Sequence, residues 1–122
     1  MISMLELSSL KSETKTMDEV FAEEVESVQG LVVIDYWGPK CVNCLALMPA
    51  VEQLEVEYGS QFKFCKLNTE DKNRRFCISR KIMGLPVIQF YRNGEEVARF
   101  TGPEEATEEN LRAKFAELAA SV

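Results

Sequence analysis

A strand, a helix and a second strand follow one another in the first half of the chain, and this order most constrains the fold. Residues 31–37, LVVIDYW, form a continuous apolar run rich in β-branched residues, which is typical of a strand buried on both faces. Apolar residues then recur at helical spacing from Cys41 to Tyr58, and residues 62–67 form another strand-like run. Because a helix joins the two strands, we predict that they are parallel with a right-handed connection. The pattern therefore predicts a βαβ unit within an α/β fold.

The remaining elements fit around this unit. Thr16 and Glu19 have the spacing of a capping box, which predicts a first helix that ends near Gly30. Asn93-Gly94 predicts a tight hairpin between two antiparallel strands. In order, the predicted elements of the second half are a helix over 71–81, strands over 86–91 and 96–100, and a last helix after Pro103 that includes Leu111, Phe115 and Leu118. A length of 122 residues with 46% apolar content suits one domain that spans residues 1–122.

Charge and composition exclude several classes of function. The net charge of −6 argues against a nucleic-acid binder, because such proteins present a basic face to the phosphates. Histidine is absent, which excludes cysteine-histidine proteases and histidine-ligated metal sites. No apolar run is long enough to cross a bilayer, and residues 1–15 lack the basic and apolar regions of a secretory signal. We therefore expect a cytoplasmic protein that binds neither nucleic acid nor membrane.

Two cysteines, Cys41 and Cys44, lie three positions apart where the first strand gives way to the helix. Unpaired N–H groups and the positive end of the helix dipole favour a thiolate at a helix N-terminus, so Cys41 is a candidate nucleophile. Asp35 is the one acid of an otherwise apolar strand, and burial would raise the pKa of its carboxyl group toward that of a general acid and base. The residues alone leave three interpretations open, namely a redox centre, half of a metal site, or a packing feature.

An ordered set of separated motifs resembles the thioredoxin family over nearly the whole chain. Asp35-Tyr36-Trp37 is similar to the acid, aromatic residue and tryptophan that precede the active site of the family, and Cys41 and Cys44 match its redox pair. The other matches are Pro49 inside the active-site helix, Lys66 facing the buried acid, Gly84-Leu85-Pro86 at the cis-proline segment, and Gly94 and Gly102 at family glycines. The resemblance implies the thioredoxin fold, a central mixed sheet of four to five strands flanked by about four helices.

The resemblance also implies a function, that of a thiol-disulfide oxidoreductase that reduces protein disulfides through a reversible Cys41–Cys44 disulfide. Cys41 would attack, Cys44 would resolve the mixed disulfide, Asp35 would transfer the proton of Cys44, and Lys66 would be the charge partner of Asp35. Such a protein needs no cofactor, is recharged by a thioredoxin reductase, acts on disulfide-containing proteins and is expected to be a monomer. The residues expected to contact substrate are Trp37, Lys40, Val42, Asn43, Leu85, Pro86 and Gly102, with a cis peptide between Leu85 and Pro86.

The active site departs from the family pattern at three positions. Lys40 replaces the usual tryptophan before the first cysteine, and Val42-Asn43 replaces the usual Gly-Pro between the cysteines. Active sites of the Cys-Val-x-Cys kind resemble those of thioredoxins from amino-acid-fermenting anaerobes, which supply glycine reductase. We expect these departures to leave the fold unchanged and to bear on the reduction potential and on the partner reductase.

Three alternative functions compete with a disulfide reductase. The lost Gly-Pro is compatible with a more oxidising disulfide oxidase or isomerase. A redox-inactive binding module would use the surface around Trp37, Leu85 and Gly102. A thiolate metal protein would complete the first pair with Cys65 and Cys77 or with cysteines of a second chain, although the spacing of Cys65 and Cys77 is unlike that of zinc motifs. On the leading hypothesis, Cys65 and Cys77 are small buried apolar residues.

Overall fold

The computed structural model describes residues 4–121 and contains the predicted βαβ unit. Within this range the sheet has five strands, which lie in the spatial order β1-β3-β2-β4-β5. They are β1 (Leu5–Glu6), β2 (Leu31–Trp37), β3 (Phe62–Asn68), β4 (Val87–Arg92) and β5 (Glu95–Thr101). β1, β3 and β2 are parallel, whereas β4 pairs antiparallel with β2, and β5 pairs antiparallel with β4. The thioredoxin fold, with a mixed sheet of four to five strands, is confirmed.

Helices cover both faces of the sheet. They are α1 (Met17–Phe21), which continues as a π-helical turn over Ala22–Glu26, α2 (Val42–Tyr58), α3 (Arg74–Ser79), α4 (Gly102–Glu105) and α5 (Glu108–Ala120). The predicted capping box is present at α1, because the Glu19 N–H donates to the Thr16 hydroxyl and the Thr16 N–H donates to the Glu19 carboxylate. The helical segment that begins there ends at Glu26, four residues before Gly30, where the prediction placed its end.

The core is divided into two clusters by the sheet. Side chains of α1 and α3 pack on one face, and side chains of α2 and α5 pack on the other. The second cluster centres on Phe115 of α5, whose ring lies 4.7 Å from that of Phe62 and 5.4 Å from that of Phe64. Aromatic contacts of this kind add to the apolar area that α5 buries. The sheet face under α2 is therefore closely packed, which matters because α2 also carries the cysteine pair.

The hairpin and one helix test the sequence-based boundaries. Asn93 and Gly94 both have positive φ, 51° and 85°, as the predicted tight turn requires. The helix predicted over 71–81 is shorter, because α3 spans only 74–79. Lys72 and Lys81 have φ values of 58° and 60°, which lie in the left-handed region and cannot continue a right-handed helix on either side.

Among residues 4–121, no helix has both the length and the apolar character needed to cross a membrane.

Candidate active site

The cysteine pair lies at the start of α2, where Cys41 is the N-cap residue and Cys44 sits in the first turn. The two residues are joined by a disulfide, with their Cα atoms 5.3 Å apart, within the usual range for such bonds. The Cys44 N–H donates a hydrogen bond of 3.2 Å to Cys41 Sγ. Cys41 is partly exposed, whereas only 1% of the surface of Cys44 is accessible. The outer sulfur can therefore be reached from solution, and the inner one cannot.

Asp35 lies on β2 with its side chain on the same face as Val33, which packs in the cluster beneath α2. It is 2% exposed, and within residues 4–121 neither carboxylate oxygen has a hydrogen-bond partner. Burial raises the pKa of Asp35 to about 7, while the charge of Lys66 lowers it and that of Glu6 raises it. Near neutral pH both protonation states of this carboxyl group are therefore populated, as a general acid and base requires.

Lys66 lies beside Asp35 on the neighbouring strand β3, where the two residues are register partners. They do not form a direct salt bridge, since both oxygens of Asp35 lack a partner among the residues that the structure describes. The Lys66 ammonium instead lies 5.6 Å from the centre of the Trp37 ring. Lys66 therefore lies beside Asp35 without a direct salt bridge, and its positive charge lowers the pKa of Asp35.

The loop before β4 flanks the cysteine pair. The Leu85–Pro86 peptide is cis, as the resemblance implies. The Gly102 N–H donates a hydrogen bond of 2.8 Å to the Pro86 carbonyl, which ties this loop to the start of α4. A Cβ atom on Gly38, three residues before Cys41, would lie 3.6 Å from Leu85 Cδ1, so the two loops approach closely. Pro86 and Asn43 also line one cavity of about 190 Å³.

The other residues expected to contact substrate surround this loop and the start of α2. Val42 is 76% exposed, so its apolar side chain is available for contact. Lys40 and Asn43 are exposed, and Trp37 and Leu85 are partly exposed. The structure thus brings the predicted residues to one end of the sheet, the end at which β2 leads into α2.

Cys65 and Cys77 are set apart from this site. Both are free and buried, and they belong to the cluster on the opposite face of the sheet from α2. Burial raises the pKa of Cys65 to about 12 and that of Cys77 to about 11. A four-cysteine metal site within one chain would need all four thiols together, and this separation prevents it. No group of three or more potential ligands suited to a metal ion occurs in residues 4–121.

Sequence analysis did not identify Glu6, which lies on the same row of the sheet as Lys66 and Asp35. Its carboxylate accepts a hydrogen bond of 2.9 Å from Trp37 Nε1 and another of 3.0 Å from the Asn68 N–H. β1 contains only two residues, too few for a periodic pattern to indicate a strand. The sequence therefore carries no signal that would have placed Glu6 beside the active site.

Comparison with known proteins gives matches of three kinds. A family model described as Thioredoxin matches residues 12–117. Thioredoxin from Peptoclostridium acidaminophilum is 44% identical over 96 residues, which cover 79% of this chain and 86% of that protein. Thioredoxin from Acetoanaerobium sticklandii is 40% identical over 95 residues, which cover 78% of this chain and 89% of that protein. The X-ray structure of Fasciola hepatica thioredoxin aligns with a TM-score of 0.68 and 25% identity, over 84% of this chain and 90% of that one.

These matches agree with the geometry of the site. The sheet order, the disulfide at the N-terminus of a long helix and the cis proline beside it are all present. The four residues Cys41-Val42-Asn43-Cys44 form a CxxC redox centre of the kind that thioredoxins use to reduce protein disulfides. The chain therefore belongs to the thioredoxin family and is a thiol-disulfide oxidoreductase with a variant CVNC active site.

Proposed function

We propose that Cys41 is the attacking thiol and Cys44 the resolving thiol in the reduction of protein disulfides. The observation that carries this assignment is the contrast between the two sulfurs. Cys41 is partly exposed at the N-cap of α2 and accepts a hydrogen bond from the Cys44 N–H, whereas Cys44 is buried. A helix N-terminus stabilises negative charge, so it favours the thiolate of Cys41 in the reduced protein.

The reaction has two exchange steps that balance as follows. The Cys41 thiolate attacks one sulfur of the target disulfide, which forms a mixed disulfide and releases the other target sulfur as a thiolate. Cys44 then gives up its proton and attacks Cys41 Sγ, which breaks the mixed disulfide and releases the second target thiolate. Two electrons pass to the target, and the Cys41–Cys44 disulfide of the structure is the oxidised product.

Asp35 is the proposed acceptor of the Cys44 proton. Its carboxyl group lies on the sheet face covered by α2, and its pKa of about 7 suits proton transfer in both directions near neutral pH. We propose that a water molecule carries the proton between the two groups. This water would also supply a hydrogen-bond partner for the two Asp35 oxygens, which have none among residues 4–121. The same carboxyl group can then return the proton to the leaving thiolate. Lys66 is the proposed charge partner of Asp35, because its positive charge favours the ionised carboxylate and lowers the pKa of Asp35.

The target is proposed to lie across the loop that contains Leu85 and Pro86. Trp37, Lys40, Val42, Asn43 and Gly102 are the other proposed contacts, and they are exposed or partly exposed around the cysteines. An extended segment of the target can offer backbone hydrogen bonds to the loop while its disulfide faces Cys41. Positioning of this kind matters because a stabilised thiolate is also a weaker nucleophile, so electrostatic activation alone gives little net acceleration.

The wider setting is proposed from the family. Disulfide-containing proteins are the substrate class, and a reductase recharges the pair. We propose that this reductase is a thioredoxin reductase, that residues 1–122 act as a single domain and a monomer, and that the protein works in the cytoplasm. In the proposed reaction the electrons pass between sulfur atoms alone, so no cofactor is needed.

A trapping experiment tests the order of attack. Reduced Cys44→Ser protein, mixed with oxidised insulin, is expected to accumulate a mixed disulfide through Cys41, because no resolving thiol is present to release it. Reduced Cys41→Ser protein is the matched control and should form little adduct, because its remaining active-site thiol is buried. Mass spectrometry of the digested adducts identifies the linked residue. Equal adduct formation by the two variants would refute the assignment.

A further inference from the structure

The carboxylate of Glu6, at the active-site end of the sheet, accepts four hydrogen bonds. Its Oε1 accepts from Trp37 Nε1 at 2.9 Å, and its Oε2 accepts from the Asn68 N–H at 3.0 Å. Oε2 also accepts from the Ser8 hydroxyl at 2.7 Å and from the Ser8 N–H at 3.2 Å. Every partner is a donor, which matches the acceptor capacity of an ionised carboxylate. A residue of the edge strand thus contacts groups on β2 and β3.

The position of Glu6 also forms part of a row of charged residues. Asp35 on β2 is the register partner of Lys66 on β3, and Lys66 is the register partner of Glu6 on β1. Side chains at one level of a parallel sheet lie on the same face, so a positive charge sits between two carboxyl groups. The negative charge of Glu6 opposes the effect of Lys66 and raises the pKa of Asp35.

The other elements packed around Asp35 contribute little charge. Its register partner on β4 is the apolar Ile88, and α2 presents Cys44 and the buried Glu55 on this side of the sheet. Burial raises the pKa of Glu55, and the charge of Lys66 lowers it. Lys66 is therefore the positive group in a small acidic set, and Glu6 is the acid of this set whose charge raises the pKa of Asp35.

We propose that Glu6 is a positioning residue that holds Trp37 against the sheet beside the cysteines and shares the charge of Lys66 with Asp35. Its hydrogen bond to the indole fixes the ring, and the contacts to Asn68 and Ser8 fix the carboxylate. Removal of the Glu6 charge leaves Lys66 free to stabilise the ionised form of Asp35. The proposal deepens the proposed function, since it rests on Asp35 as the proton acceptor for Cys44.

The test compares removal of the Glu6 charge with removal of its whole side chain. Glu6→Gln removes the charge and keeps one oxygen that can accept from Trp37, while its NH2 group cannot accept from the Asn68 N–H or from Ser8. The NMR titration of the Asp35 carboxyl group should then move to lower pH by about half a pH unit. The pH profile of insulin reduction should move in the same direction. Glu6→Ala should in addition change the emission of Trp37, which is specific because the chain has one tryptophan.

Ser8→Ala is the matched control, because it removes one hydrogen bond from the same carboxylate and retains both the charge and the Trp37 contact. It should leave the Asp35 titration and the Trp37 emission at their wild-type values. An unchanged Asp35 titration in Glu6→Gln would overturn the proposal, as would wild-type Trp37 emission in a folded Glu6→Ala protein. If Glu6→Ala does not fold, Glu6→Gln still decides. Both readouts are independent of activity, so failure here is distinct from failure of the proposed reaction.

Discussion

Replacement of Cys41 by serine should abolish the reduction of insulin disulfides in the presence of a dithiol, to below about 1% of the wild-type rate. A serine hydroxyl does not form an accessible anion at neutral pH and cannot make the mixed disulfide, so the first exchange step is lost. The helix N-terminus cannot compensate, because its effect is to stabilise an anion that serine does not form. The rate of insulin precipitation measures the loss.

Cys77→Ala is the matched control for this variant. It removes a thiol that is buried on the opposite face of the sheet and whose pKa burial raises to about 11. Insulin reduction by Cys77→Ala should remain close to the wild-type rate, provided that far-ultraviolet circular dichroism shows a folded protein. Wild-type activity of Cys41→Ser would instead mean that another group performs the first attack, and the assignment of Cys41 would be wrong.

Replacement of Asp35 by asparagine should stabilise the fold and slow the reaction. The folded-state pKa of about 7 exceeds the ordinary value of 3.8, so folding disfavours the ionised form. The resulting penalty is absent below about pH 4, grows as the pH rises toward 7 and is constant above it. Asp35→Asn removes the penalty, and at pH 8 it should raise the free energy of unfolding by about 3–4 kcal/mol.

The gain from Asp35→Asn should vanish near pH 3.5, where the carboxyl group is protonated in both the folded and the unfolded protein. Insulin reduction at pH 7 should fall by about tenfold to a hundredfold, because the amide cannot accept the proton of Cys44. The control is Glu55→Gln, which removes a different buried acid, one that lies on α2. It should leave the rate near that of wild type. Urea unfolding at the two pH values measures the stability. An equal gain in the free energy of unfolding at pH 8 and at pH 3.5 would contradict the view that burial penalises the ionised form of Asp35.

The sequence predicted the features that depend on local pattern. The βαβ unit followed from apolar runs and helical spacing, and the Asn93-Gly94 turn followed from residues that tolerate positive φ. The place of Cys41 at the start of α2 followed from the point at which the strand-like run gives way to helical spacing. These signals lie within a few residues of one another, so no knowledge of tertiary contacts was needed.

Other features depend on contacts between distant segments. β1 is a strand because Leu5 and Glu6 pair with β3, sixty residues further along the chain, and two residues carry no recognisable period. The cis state of Leu85–Pro86 was expected only from the resemblance, since most X-Pro bonds in folded proteins are trans. Lys66 was expected as a partner of Asp35, but whether its ammonium contacts the carboxylate or the Trp37 ring depends on packing.

The reduction potential of the Cys41–Cys44 pair tests most directly whether this protein is a reductant. The protein would be equilibrated in dithiol buffers of set potential, its free thiols alkylated, and the active-site peptides weighed. A midpoint near about −270 mV is the predicted result and marks a reductant of the thioredoxin kind. A midpoint between about −180 and −120 mV would mark a catalyst of disulfide formation or rearrangement, and would contradict the account.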